Sequence, residues 1–200
     1  MIKLIGVYDY TVILTYLSLF SAVLSMIQAM HGNYTVSVLC IFFSGICDAF
    51  DGTVARTKKD RTEDEKAFGI QLDSLVDTVS FGVAPAFLCY CMGVNGTIGI
   101  VILLLFCMCG VSRLAFFNVL EINRQKTESG CSKGYRGLPI TTSSLILPFV
   151  YGFRFFMAEG TFAVILHVVL AATAFLFVLD FPVPKYDFKK PLVKLGILKE

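Results

Sequence analysis

Runs of apolar residues, each long enough to cross a bilayer as a helix of about 20 residues, leave this chain few ways to fold. They cover approximately residues 9–30, 34–55, 68–92, 97–119, 139–156 and 161–181. Backbone amides and carbonyls find no water inside hydrocarbon, so such segments must satisfy their own hydrogen bonds, as helices. With 56% hydrophobic and only 16% charged residues, and a mean hydropathy of +0.75, a soluble domain is excluded. The expectation is an all-α membrane protein: a single domain over residues 1–200, built as a bundle of six transmembrane helices. Residues 1–7 form a short apolar and basic lead suited to the membrane interface, and no small-residue cleavage pattern marks a signal peptide. Pro85 and Pro148 predict kinks or local breaks. The seven cysteines form no metal-binding spacing and read as reduced, small apolar residues. His31 and His167 read as interfacial or packing residues.

Orientation follows from the cations. Arg56, Lys58, Lys59, Arg61 and Lys66 follow the second run; Arg124, Lys126, Lys133 and Arg136 follow the fourth. The tail adds Lys185, Lys189, Lys190, Lys194 and Lys199, and the lead holds Lys3, whereas the opposite turns hold only Arg154. Both termini and both charged loops are therefore expected in the cytoplasm, with the protein integral to the cytoplasmic membrane.

Asp48, Asp51, Asp73 and Asp77 sit at the ends of two apolar segments, where a lone charge is costly. At about 100° per residue, Asp48, Asp51, Gly52 and Ala55 share one helix face, and Gly69, Asp73 and Asp77 share a face of the next. Two helices joined by a short loop pack antiparallel, so the faces can meet as a carboxylate cage beside a wall of small residues. Hard divalent cations take carboxylate oxygens, and phosphates bind those cations. Two function classes fit: an enzyme acting on a phosphate-bearing substrate, and a divalent-cation transporter. A transporter would place its charges at the midplane of repeated halves. Here the charges gather toward one side and no repeat is visible, which favours the enzyme.

The pattern Asp48-x2-Asp51-Gly52-x2-Ala55-Arg56, followed by Gly69-x3-Asp73-x3-Asp77, resembles the signature of the CDP-alcohol phosphotransferases, membrane enzymes of phospholipid synthesis; all its positions are filled. One departure is the spacing before Gly69, where residues 57–68 stand in place of a commonly shorter segment. Residues 71–86, 112–118 and 135–139 look like the corresponding stretches of phosphatidylserine synthases. The resemblance implies transfer of a phosphatidyl group from CDP-diacylglycerol to L-serine, releasing CMP. It implies that Asp48, Asp51 and Asp73, with Asp77 shared, hold one or two Mg²⁺ or Mn²⁺ ions, and that Asp77 is the general base. Asp48, Gly52, Ala55, Arg56 and Gly69 would form the CDP-diacylglycerol site, the glycines admitting cytidine and Arg56 pairing with a phosphate. Tyr10 and Thr11 are further candidates for touching the nucleotide. A homodimer in membrane lipid is implied as well, and Gly45, Gly110 and Ser112 would permit close helix packing. Nothing implies a nucleic-acid partner.

For the acceptor, Arg113 is an ionisable residue inside the fourth run, which by default marks function. With Asn118, and with Lys133, Tyr135 and Arg136 from the next loop, it would bind serine or phosphate. The Thr141–Ser144 run could line the same pocket. A phosphorylated acceptor, glycerol 3-phosphate or inositol phosphate, is the alternative. The plainer readings are snorkelling for Arg113, positive-inside charge for Lys133 and Arg136, and a solvated face for most of residues 56–66.

Overall fold

The computed structural model describes residues 6–55, 57, 58, 60–126 and 135–183. A 3₁₀ turn (Tyr10–Val12) leads into α1 (Ile13–Met30), and a tight turn into α2 (Tyr34–Ala55). The third helical run is continuous but has three parts: α3 (Glu63–Asp77), a π-helical segment (Thr78–Val83) and α4 (Ala84–Cys91). Then come α5 (Thr97–Lys126), α6 (Ser143–Gly152) between 3₁₀ turns at Ile140–Thr142 and Phe153–Phe156, and α7 (Glu159–Val178). The two-residue strands β1 (Tyr135–Arg136) and β2 (Pro182–Val183) pair antiparallel, with Tyr135 opposite Val183. They tie the approach to α6 to the chain beyond α7.

Among the described residues, five helical runs are long and apolar enough to cross a membrane: Tyr10–Met30, Tyr34–Ala55, Glu63–Cys91, Thr97–Leu120 and Glu159–Val178. The fifth of the six expected spans, residues 139–156, is a shorter apolar run, Ile140–Phe156. Its regular α-helix is confined to Ser143–Gly152, with Pro148 inside it and 3₁₀ turns at both ends. Residues 1–5 of the expected interfacial lead lie outside the described residues. The third run begins earlier than its hydropathy predicts. Thr62 accepts from Glu65 N while Glu65 Oε2 accepts from Thr62 N at 2.9 Å, a capping box that starts α3 inside the charged stretch.

The seam between α1 and α2 is polar and small, Phe81, Phe106, Leu166 and Phe177 fill an apolar core elsewhere, and the outer surface of the bundle is apolar. Phe20, Ile98, Met108, Phe149, Val168 and Phe175 are exposed, while Ser18, Ser25, Ser37, Ser44 and Ser80 are buried. Serine pairs stitch α1 to α2: Ser18 to Ser44 at 2.6 Å and Ser25 to Ser37 at 2.8 Å, with Ser21 donating to the Cys40 carbonyl. Ser18 also donates to Ser80 in the π segment, at 3.4 Å. In hydrocarbon these hydroxyls have no water to turn to, and small residues let the backbones approach.

Pro85, expected to kink its helix, follows directly on the π segment. It has no N–H for the Phe81 carbonyl four residues back, and that oxygen instead accepts from Ser143 Oγ at 2.9 Å. Gly45 and Gly110 use their missing side chains inside the bundle. A Cβ on Gly45 would overlap Ser144 Oγ and stand 2.7 Å from its Cβ, and one on Gly110 would stand 2.7 Å from Ile140 Cδ1. Of the three small residues expected to aid packing, only Ser112 is exposed on the bundle surface. His167 rests against Gly99, its Nε2 2.9 Å from where a Cβ would be, in keeping with a packing role.

Because the clash at Gly45 involves the Ser144 Cβ, a rotamer change cannot relieve it. Gly45→Ala is expected to destabilise the protein by about 1–3 kcal/mol, read as a lowered unfolding temperature in detergent, and Ser144→Gly in the same chain should recover most of the loss.

Candidate active site

Asp48 lies about two turns before the end of α2, Asp77 is the last residue of α3, and Asp73 lies one turn before it. Carboxylate oxygens of Asp48, Asp73 and Asp77 all fall within 4.8 Å of one another. Asp51 completes the group: its carboxyl lies beside Asp73 and accepts from Thr15 Oγ1 of α1 at 3.3 Å. Asp77 is only 7% exposed, and the other three are half-buried. Among the described residues, no lysine or arginine forms an ion pair with any of the four. Like charges so placed repel, and burial removes the water that would screen them. An oxygen-only, acceptor-only set of this kind fits a hard divalent cation such as Mg²⁺ or Mn²⁺, and lacks the sulfur or imidazole that softer metals select. Gly52, Ala55 and Gly69 are half-buried on the same two helices.

The connection between α2 and α3 is firmly braced. Lys58 Nζ reaches Asp9 Oδ2 at 2.9 Å and Glu65 Oε1 at 3.1 Å. Asp9 also accepts from the Thr11 amide at 2.9 Å and from the Thr11 hydroxyl. These hydrogen bonds from Thr11 and Lys58 pull the Asp9 carboxyl down to about 2. The pair therefore holds fully above the ordinary carboxylate range and is lost only as the pH falls through about 2. Tyr10 and Thr11, expected at the nucleotide, belong to this brace: Thr57 Oγ1 donates to the Tyr10 hydroxyl at 3.3 Å, and the Thr11 hydroxyl is held by Asp9.

On the other side, Ser74 Oγ donates to Asn118 Oδ1 at 2.9 Å, fixing α5 against α3 next to Asp73. Arg113 is 6% exposed. Its Nε donates to the Leu138 carbonyl at 3.1 Å, its Nη2 to that of Gly137 at 3.4 Å, and its guanidinium lies 4.5 Å over the Phe117 ring. Nη1 is buried with no hydrogen-bond partner. Gly137 carries a positive φ of 70°, which its lack of a Cβ permits, so Arg113 grips a turn that leads straight into Thr141–Ser144. Thr141, Thr142 and Ser144 line a cavity of about 300 Å³ that also contains Asp48, although Thr142 and Ser144 spend their protons on the Pro139 and Thr141 carbonyls. Arg56 and Lys133 lie outside the described residues, as do the side chains of Tyr135 and Arg136.

Sequence reading missed Thr15, Ser74 and the Asp9–Lys58–Glu65 brace. Thr15 was legible in principle, because Thr11, Thr15, Ser18 and Ser25 form a polar stripe at helical spacing in an otherwise apolar run. The brace has no periodic signal.

The profile of the CDP-alcohol phosphatidyltransferase family matches residues 10–179. The chain is 38% identical over 152 residues to the CDP-diacylglycerol–serine O-phosphatidyltransferase of Saccharomyces cerevisiae, covering 73% of this chain and 54% of that protein. It is 33% identical over 188 residues to the protein of the same name from Methanocaldococcus jannaschii, covering 94% and 78%. It is 34% identical over 140 residues to the archaetidylserine synthase of Methanothermobacter thermautotrophicus, covering 70% and 56%. The chain thus spans about half the length of the first and third of these relatives. No solved structure matches it at a significant level.

Replacing one carboxylate of the close trio removes a direct ligand, whereas Thr15 acts only through Asp51. Thr15→Val is expected to weaken Mn²⁺ binding by at most a factor on the order of 10–100, and Asp73→Asn by more, measured by titration of the purified protein followed by electron paramagnetic resonance.

Proposed function

This chain belongs to the CDP-alcohol phosphatidyltransferase family, and on that premise we propose that it transfers the phosphatidyl group of CDP-diacylglycerol to the hydroxyl of L-serine, giving phosphatidylserine and CMP. The observation that carries the chemistry is the convergence of Asp48, Asp73 and Asp77 within 4.8 Å on the two helices that hold the signature glycines. The acceptor rests on the relatives: all three described above are named for serine, although one is named for a different lipid.

The attacking serine hydroxyl is a weak nucleophile and needs a base within hydrogen-bond reach. Asp77 takes its proton as the serine oxygen bonds to the phosphorus bearing diacylglycerol, and the bond from that phosphorus to the CMP oxygen breaks. Asp77 is the most buried of the four carboxylates, 7% exposed. One or two Mg²⁺ or Mn²⁺ ions held by Asp48, Asp51 and Asp73, with Asp77 shared, would supply charge neutralisation for the diphosphate. Asp48 and the half-buried Gly52, Ala55 and Gly69 border the donor, with Arg56 on a phosphate. Arg113 offers Nη1 to the carboxylate of serine, and Asn118, Lys133, Tyr135 and Arg136 complete the acceptor side. We place both termini and the carboxylate group in the cytoplasm, count Ile140–Phe156 as a sixth crossing, and expect a homodimer.

Purified protein in detergent with Mn²⁺ and CDP-diacylglycerol should release CMP when offered L-serine, and not with glycerol 3-phosphate or inositol phosphate; release with a phosphorylated alcohol alone would overturn the acceptor. Asp77→Asn should lose at least about 100-fold in turnover even at Mn²⁺ concentrations that saturate its weakened metal site, and near-normal turnover there would remove Asp77 from the base role. Arg113→Ala should raise the KM for serine far more than that for CDP-diacylglycerol; an equal rise in both would refute the serine contact.

A further inference from the structure

We propose that Arg61 is a nucleotide-contacting residue of the donor site, positioned by the longer connection between α2 and α3; the inference rests on the transferase activity proposed above. The starting point is Gly69. It lies in the interior of α3, where glycine is a poor helix former, so its presence calls for a close approach. The group that approaches belongs to the chain itself. A Cβ on Gly69 would stand 2.6 Å from Arg61 Nη2, and Nη2 donates to the Glu65 carbonyl at 3.1 Å. The guanidinium is thus laid against the helix where a side chain would otherwise be.

Gly69 and Asp73 share a face of α3, one turn and about 6 Å apart along the axis. A diphosphate bound at the carboxylates carries its nucleoside toward the open end of the site, over this turn, and there it meets Arg61 before it meets the glycine. Arg61 Nε is buried without a hydrogen-bond partner, one of two such side-chain nitrogens among the described residues; the other is Arg113 Nη1. A buried N–H left unpaired is costly and calls for an explanation. A planar guanidinium can pair with oxygens of a nucleotide and stack on its base.

Arg61 is also held in place. Thr57 Oγ1 donates to the Val54 carbonyl at 2.7 Å, Lys58 ties Asp9 to Glu65, and the Thr62–Glu65 capping box begins the helix immediately after Arg61. The described residues of this connection form a braced cap, with Arg61 against Gly69, and its outer side is the solvated face that the charge suggested: Thr57, Asp60, Thr62, Glu63, Asp64 and Lys66 are exposed.

The test is calorimetric titration of CMP into the purified full-length protein in detergent with Mn²⁺, with Mn²⁺ affinity measured separately as a check on the carboxylate group. Arg61→Ala should weaken CMP binding at least tenfold with Mn²⁺ affinity unchanged, and Arg61→Lys should recover part of the loss. Gly69→Ala should weaken CMP comparably by displacing the guanidinium, and the double variant should bind no worse than Arg61→Ala alone. CMP affinity within twofold of wild type in Arg61→Ala, with Mn²⁺ still bound, overturns the role of Arg61. So does a double variant far weaker than Arg61→Ala, since the nucleotide would then touch Gly69 directly. Wild-type protein that binds Mn²⁺ but no CMP would overturn the transferase activity itself.

Discussion

Carboxylates do not gather in a low-dielectric interior unaided; something must hold their helices together against repulsion and lost hydration. In this bundle that force comes from the small polar seam between α1, α2 and the π segment. Ser18 meets both Ser44 and Ser80, and Ser25 meets Ser37, so three segments approach closely enough for α2 and α3 to present their acidic faces to each other. Gly45 extends the principle to α6, where Ser144 fills the space of its absent side chain. Larger residues on these faces would bury more apolar area and hold the carboxylates apart.

Among the described residues, Arg113 and Lys58 stand at the margins of this acidic centre, occupied with backbone or loop. Arg113 grips the carbonyls of residues 137 and 138, and Lys58 joins the chain before α1 to the start of α3. Neither neutralises the four aspartates, which leaves that task to an incoming cation. The end of the bundle away from the carboxylates follows another logic. There Arg154 is enclosed by the rings of Tyr34 and Tyr151, 5.0 and 5.7 Å away, and the Tyr34 hydroxyl closes onto the Cys91 carbonyl at 2.8 Å.

Helix identity and the acidic faces were legible in the sequence because both depend on periodicity: apolar runs give the spans, and intervals of three and four residues put Asp48 with Asp51 and Asp73 with Asp77. Three features were not legible, for physical reasons. The start of α3 is set by the side chains of Thr62 and Glu65, which sit in a charged stretch that hydropathy assigns to a loop. The fifth run is short in regular α-helix because 3₁₀ turns take up both its ends while the helix continues through Pro148, and an apolar run does not show where such turns fall. The partners of Arg113 are backbone carbonyls 24 and 25 residues away, and the side-chain pattern carries no record of them.

The π segment at Thr78–Val83 has a consequence for how the third run divides its labour. The Ala84 amide bonds to the Val79 carbonyl, five residues back, so this stretch holds one residue more than an α-helix would. One residue is worth about 100° of rotation. The run therefore behaves as two cams on a single shaft, fixed at an offset: one presents Asp73 and Asp77 to α2, the other presses Leu88 and Cys89 into the core. The angle between chemistry and packing is set by the length of this stretch, independently of the identity of its side chains. Shortening it by a single residue would let the core keep its fit while turning the aspartates away from their partner, so that an intact bundle would have its acidic faces out of phase.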